Sequence, residues 1–104
     1  MMDPGDGDRD KEKKDEFKNI DKHYEKHSNE FGNISKEDYI QRANSLKNAK
    51  TNDNIVEFTR SNGDLIKYDK INNEFISIDP NGKIRTFFKP SNGINYWQNQ
   101  IGGF

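Results

Sequence analysis

The spacing of apolar positions in this chain changes twice, and each change marks an element. Residues 1–16 have no apolar period; Pro4, Gly5 and Gly7 stand among alternating charges, the pattern of a disordered tail or interdomain linker. From Phe17 the spacing becomes helical. Phe17, Ile20, Tyr24 and His27 fall three, four and three apart on one helix face. That spacing puts His27 at the C-terminal end of the buried stripe and turns His23 elsewhere. Residues 29–33, with Gly32, break the helix. Ser35 then caps a second helix, with Asp38 three residues on as a variant of the capping box. Tyr39, Ile40, Ala43 and Leu46 form its stripe, which fades over 49–54.

The rest of the pattern is that of strands. Residues 55–60 and 64–70 flank Ser61-Asn62-Gly63, a hairpin signal suited to positive φ. Asn72-Asn73 separates the second strand from a third over 74–79. Asp79-Pro80-Asn81-Gly82 forms a further tight turn, and residues 83–89 form a fourth strand that Pro90 ends. Connections this short imply antiparallel neighbours, hence a meander. The expectation is an α+β domain at 17–104, with two N-terminal helices covering one face of a four-stranded antiparallel sheet. The tail from Ser91 reads as irregular, with a fifth strand or a flap as options.

Composition narrows this picture. One small domain of 104 residues with 29% hydrophobic and 34% charged residues must have a lean core. Seven Phe, four Tyr and one Trp compensate by burying large areas each. The absence of cysteine excludes a disulfide framework and a thiolate metal site. No apolar run approaches the ~20 residues of a membrane span, and the charged start lacks the apolar stretch of a signal peptide. The net charge of -1 conceals a division. Residues 1–16 hold seven acids and four bases, leaving 11 acids and 13 bases over 17–104, a net of +2. A mildly basic body tolerates phosphate contact but is no basic-patch binder.

The candidate chemistry gathers in two segments. His23-Tyr24-Glu25-Lys26-His27 holds both histidines of the chain, the side chain that takes and gives a proton near neutral pH. Arg85-Thr86-Phe87-Phe88-Lys89-Pro90 offers two cations and a hydroxyl on one strand. RNA carries its own nucleophile, the 2′-OH. Cleaving it requires a base, an acid for the leaving 5′-oxygen and positive groups for the transition-state charge. Strict alternation puts Arg85, Phe87 and Lys89 on one face and Thr86 on the other, so if Thr86 is functional either a bulge re-aims it or Arg85 and Lys89 are not the catalytic cations. His23 and His27 could share a metal, but the spacing is not His-Glu-x-x-His and no third ligand is evident; no cofactor is expected. Arg60 and Lys67 are candidate phosphate contacts or solvated strand residues. Trp97 and Tyr96 could stack on a base or close the core. Glu30 reads as a local cap or pair.

Several of these segments resemble a known family. His-x-x-Lys-His-x-x-Glu-Phe-Gly at 23–32 (the two His, Lys26, Glu30, Phe31, Gly32), the helix around Tyr39 and Ala43, Arg-x-Asn-Gly-Asp at 60–64, Asn-Glu-Phe at 73–75 and Gly-x-Ile-Arg-Thr-x-Phe-Lys-Pro at 82–90 occur together. In that order they resemble the C-terminal ribonuclease domains of bacterial polymorphic and contact-dependent inhibition toxins, similar to the tRNA-cleaving domain of colicin D. These domains fall in the barnase–EndoU–colicin–RelE fold group, of helices followed by a curved antiparallel sheet. The resemblance covers about residues 18–90. It implies metal-independent RNA cleavage, with tRNA as the foremost substrate, by 2′-OH attack giving a 2′,3′-cyclic phosphate. It implies His27 as the central acid/base residue, with Lys26, Arg85, Thr86 and Lys89 beside it. It also implies a larger secreted toxin that acts in the cytoplasm of a competing bacterium, and a cognate immunity protein, the domain being a monomer or a heterodimer with that inhibitor. The alternatives are a non-catalytic RNA- or protein-binding module, and a DNA-cleaving toxin that would need a divalent ion.

Overall fold

The computed structural model describes residues 17–102; the expected linker at 1–16 lies outside the described residues. Helix α1 spans Ile20–His27 and runs on through a 3-10 turn at Ser28–Phe31. Gly32, at φ 80°, ends that turn in the left-handed region, where a side chain would be strained. Helix α2 spans Lys36–Asn48, with Ser35 accepting a hydrogen bond from the Asp38 amide at 3.1 Å. Four strands follow, β1 Ile55–Thr59, β2 Leu65–Asp69, β3 Glu74–Ile78 and β4 Ile84–Phe88, and a third helix, α3, spans Ile94–Gln100. The sheet is antiparallel in the order β1-β2-β3-β4, the expected meander.

The two faces of the sheet carry separate cores. Ile76, Ile78, Ile84 and Phe87 pack with Phe17, Tyr39, Ala43 and Leu46 beneath α1 and α2. The Tyr39 hydroxyl donates to the Phe87 carbonyl and pins α2 to β4. On the opposite face Ile66, Tyr68 and Phe75 pack with Trp97 of α3. The segment expected to be irregular, or a fifth strand, is thus a helix covering the second face. Its Asn- and Gln-rich sequence hides the pattern; Trp97 alone is fully buried, stacked on Tyr68 at 6.2 Å.

Turn chemistry fixes the strand ends. Gly63, at φ 95°, closes the β1–β2 turn, and a Cβ there would meet Pro80 Cγ at 3.0 Å. In the β3–β4 turn, Asp79 accepts from the Asn81 and Lys83 amides at 2.9 Å and pairs with Lys18 Nζ at 2.9 Å. The Lys18 ammonium first, then the Lys83 amide, hold its carboxyl at about 2, below the usual 3.8. A folded-state pKa below the unfolded one stabilises fully above 3.8, and that stability is lost as pH falls toward 2. Asp79→Asn is therefore expected to lower the denaturant midpoint at pH 7 and to flatten its decline between pH 4 and 2. An unchanged profile would show that Asp79 contributes nothing to acid stability.

Two features place α1 along the outer edge of β4. Phe17 forms a parallel bridge with Ile84, and the Lys18 amide donates to the Ile84 carbonyl at 2.8 Å. The register of β4 against β3 then shifts: Ser77 faces Thr86, but Ile78 faces Ile84, leaving Arg85 as an extra residue. This irregularity is the bulge that strict alternation lacked. It keeps Ile84 and Phe87 together in the first core and turns Arg85 and Thr86 toward the α3 face.

Candidate active site

The edge between α1 and β4 brings both histidines onto the strand. His27, the last residue of α1, is buried; its ring stacks on Phe88 at 5.2 Å with planes 24° apart. Its Nδ1 donates to Glu30 Oε2 at 2.8 Å. The 3-10 turn makes this possible by bringing Glu30 back under the helix end. The other Glu30 oxygen, Oε1, accepts the Lys89 amide at 2.9 Å. One carboxylate therefore orients the imidazole from one side and is itself held by the end of β4. A carboxylate on Nδ1 fixes the tautomer and leaves Nε2 as the nitrogen for proton transfer.

His23, expected to face elsewhere, lies within this group. Its ring stacks parallel to His27, with centroids 6.0 Å and planes 16° apart, and packs on Phe17 at 5.6 Å. Thr86 Oγ1 lies 3.5 Å from its Nδ1, and the ring also hydrogen-bonds the Arg85 backbone. Burial, and then the charges of His27 and Lys26, lower its pKa below 6.5, against the smaller opposing effect of the Arg85 bond. His23 thus favours the neutral, proton-accepting form at pH 7. The signal was available in the sequence: Ile20, His23 and His27 are spaced three and four apart, as much a helical stripe as the one through Tyr24.

The other expected site residues divide. Arg85 and Thr86 join the histidines, and Arg85 pairs through Nε with Asp64 Oδ2 at 2.9 Å while staying 44% exposed. Lys26 is exposed on α1 and reaches the group only through its charge. Lys89 was expected on the same sheet face as Arg85, but the bulge puts the two on opposite faces. Its Nζ donates to the Asn72 carbonyl at 2.6 Å and lies over the Phe31 ring at 5.1 Å, on the α2 side. Only its backbone amide serves His27, through Glu30.

Three residues considered for substrate contact have protein partners instead. Lys67 is buried beneath α2 and donates to the carbonyls of Lys47 at 2.8 Å and Ala49 at 2.6 Å. Arg60 donates to Gln100 on α3. Trp97 closes the second core against Phe75 and Tyr68. Phe75 in turn packs on Phe88, so Trp97 reaches the His27 ring only through two intervening side chains.

The histidines lie along the β4 edge, His27 buried and His23 partly buried. A cavity of about 600 Å³ lies elsewhere, against α2, walled by Arg42, Asp69, Asn72 and Glu74, and neither histidine lines it. Its acidic walls do not suit a polyanion. Among the described residues, no three His, Cys, Asp or Glu side chains converge to hold a metal ion, and no helix is long and apolar enough to cross a membrane. The arrangement offers two imidazoles on one edge, a hydroxyl and an exposed guanidinium, which can move protons beside a phosphate. Compared with known families and with curated proteins, the chain matches none.

Proposed function

We propose that this domain is a ribonuclease that cleaves by internal transesterification. The observation that carries the reading is the pair of parallel imidazoles 6.0 Å apart, one oriented by Glu30, beside Thr86 and Arg85. Two rings at that separation can serve the attacking and leaving oxygens of one phosphodiester. His23, biased to its neutral form, takes the proton from the 2′-OH as the oxygen attacks phosphorus. The P–O5′ bond breaks, and His27 gives a proton from Nε2 to the departing 5′-oxygen. Glu30 balances the positive charge on the His27 ring whenever that ring carries both protons. Arg85 meets the phosphate charge through its terminal amino groups, for which guanidinium geometry is suited. Thr86 fixes the His23 ring. The products are a 2′,3′-cyclic phosphate and a free 5′-hydroxyl, with no metal ion needed. The resemblance of the sequence to toxin ribonucleases extends the proposal: tRNA is the target, the domain is carried by a larger secreted toxin into a competing cell, and a cognate immunity protein blocks it until then.

The test is incubation of purified protein with total RNA in EDTA. Discrete fragments ending in cyclic phosphate are expected. Because His23 must be neutral to act as base and its pKa lies below 6.5, the acid-side fall of kcat/KM should lie below pH 6.5. Intact RNA in EDTA would overturn the proposal. Cleavage restored only by a divalent ion would move the domain to a metal-dependent nuclease, and a mobility shift without fragments to a binding module.

A further inference from the structure

Two buried oxygens on the α3 face have no hydrogen-bond partner among the described residues: Asp64 Oδ1 and Ser77 Oγ. Both residues are 3% exposed. Buried polar atoms are nearly always bonded, so each orphan needs an explanation, and a hydrogen-bond donor on a bound ligand is one. The two belong to one patch. Ser77 stands opposite Thr86 on β4 and Ile66 on β2, and Asp64 precedes Ile66 by two residues, on the same face. Arg85 completes the patch, its Nε reaching across β3 to Asp64 Oδ2. The Asn62 amide, at 3.2 Å, crowds that same oxygen, so the carboxylate's donors converge on Oδ2 and leave Oδ1 bare.

We infer that Asp64 and Ser77 form a specificity subsite that accepts the hydrogen-bond donors of a nucleobase, with Arg85 as its movable rim. The inference rests on the ribonuclease reading. Its chemistry follows from the orphaned atoms. A carboxylate oxygen accepts only, and a hydroxyl can accept or donate, so the pair fits an edge that presents amino or imino N–H groups and disfavours an acceptor-only edge. Bases differ in where they carry those donors, and a buried polar group left unpaired by the wrong base penalises it. Position supports the same assignment. Ser77 lies one strand from β4 and Asp64 two, ~5 and ~10 Å at the usual strand spacing, within the reach of a nucleotide whose phosphate sits at the histidines. Arg85 is half exposed, and a phosphate drawing its guanidinium outward uncovers the carboxylate beneath.

Two measurements test this separately from the reaction. In the first, the 3′ ends left on total RNA are sequenced for wild type and for Asp64→Asn, which replaces an acceptor with an amide. Wild-type ends should cluster at one or two of the four bases, and Asp64→Asn should redistribute them by roughly tenfold, the scale of one hydrogen bond to a charged group. Identical end distributions, or wild-type ends spread evenly over four bases, would overturn the subsite while leaving the ribonuclease reading intact. In the second, the four nucleoside 3′-monophosphates and their 2′-deoxy forms are titrated while the backbone amide resonances of Asp64 and Ser77 are followed. Base-selective shifts that Ser77→Ala weakens support the subsite even where RNA stays uncut. Equal shifts from all four bases, or shifts that vanish with the 2′-hydroxyl, overturn it. Ser77→Ala adds no charge and keeps the test decisive should Asp64→Asn fail to fold.

Discussion

Replacement of His27 by glutamine is expected to lower RNA cleavage by ~10²–10⁴-fold, the usual contribution of a positioned general acid or base. Glutamine is preferable to alanine as the first variant. Alanine would open a gap against Phe88 and leave Glu30 without its partner, so lost cleavage could reflect a disturbed edge. A glutamine amide can donate to Glu30 and fill part of the ring's volume, yet it shuttles no proton. The check is the rate on a defined tRNA transcript, alongside circular dichroism and a melting curve. Cleavage retained at near wild-type rate in a folded His27→Gln protein would remove His27 from the reaction and leave the histidine pair as a structural stack. Loss of cleavage with an unchanged melt is the expected result.

Much of this arrangement was legible in the sequence, because local chemistry fixed it. Ser35 capped α2 and Asn62-Gly63 turned the first hairpin as their side chains and φ preferences require. What escaped was set by the third dimension. The bulge at Arg85 leaves no mark in composition; its one trace is that Ile84 and Phe87 are three apart within a strand, which cannot share a face unless a residue is extra. Missing that extra residue linked Arg85 to Lys89 and parted it from Thr86. His23 falls outside the stripe through Tyr24, yet α1 is clasped on two sides, by the core and by the β4 edge. Glu30 required the 3-10 turn, which short-range propensity does not announce. Helix α3 was hidden by polar residues around one buried indole, and its formation depends on the apolar face of the sheet it covers.

The second large effect is expected at Lys67. Its ammonium lies on the helix-covered face of the sheet, in contact with the last carbonyls of α2: Leu46 at 3.4 Å, Lys47 at 2.8 Å and Ala49 at 2.6 Å. The Leu46 carbonyl also accepts the amide of the C-cap residue Ala49 at 3.2 Å, the carbonyls of Lys47 and Ala49 lie past the last turn's acceptors, and the negative end of the helix dipole favours a cation there. The side chain is only 5% exposed, and Glu57, at 3.8 Å, is a distant and half-exposed counterion. Lys67→Met keeps the stem and removes the donors, so it should cost about 2–4 kcal/mol, one or two charged hydrogen bonds onto buried acceptors. For a domain of this size that is a fall in Tm of roughly 10–20 °C. Burial lowers the Lys67 pKa from 10.5, with Glu57 opposing. Between that lowered value and 10.5 the unfolded chain holds more protons than the folded one, so the residue's own contribution to stability rises with pH there. The same variant separates anchoring from substrate contact. If Lys67 anchors α2, folded Lys67→Met protein at low temperature cleaves RNA at the wild-type rate while melting early. A variant that melts with wild type but has lost cleavage would instead return Lys67 to the phosphate-binding surface and leave α2 held by its apolar core contacts, the Arg42–Glu74 pair and the Lys47 bond to the Gly82 carbonyl.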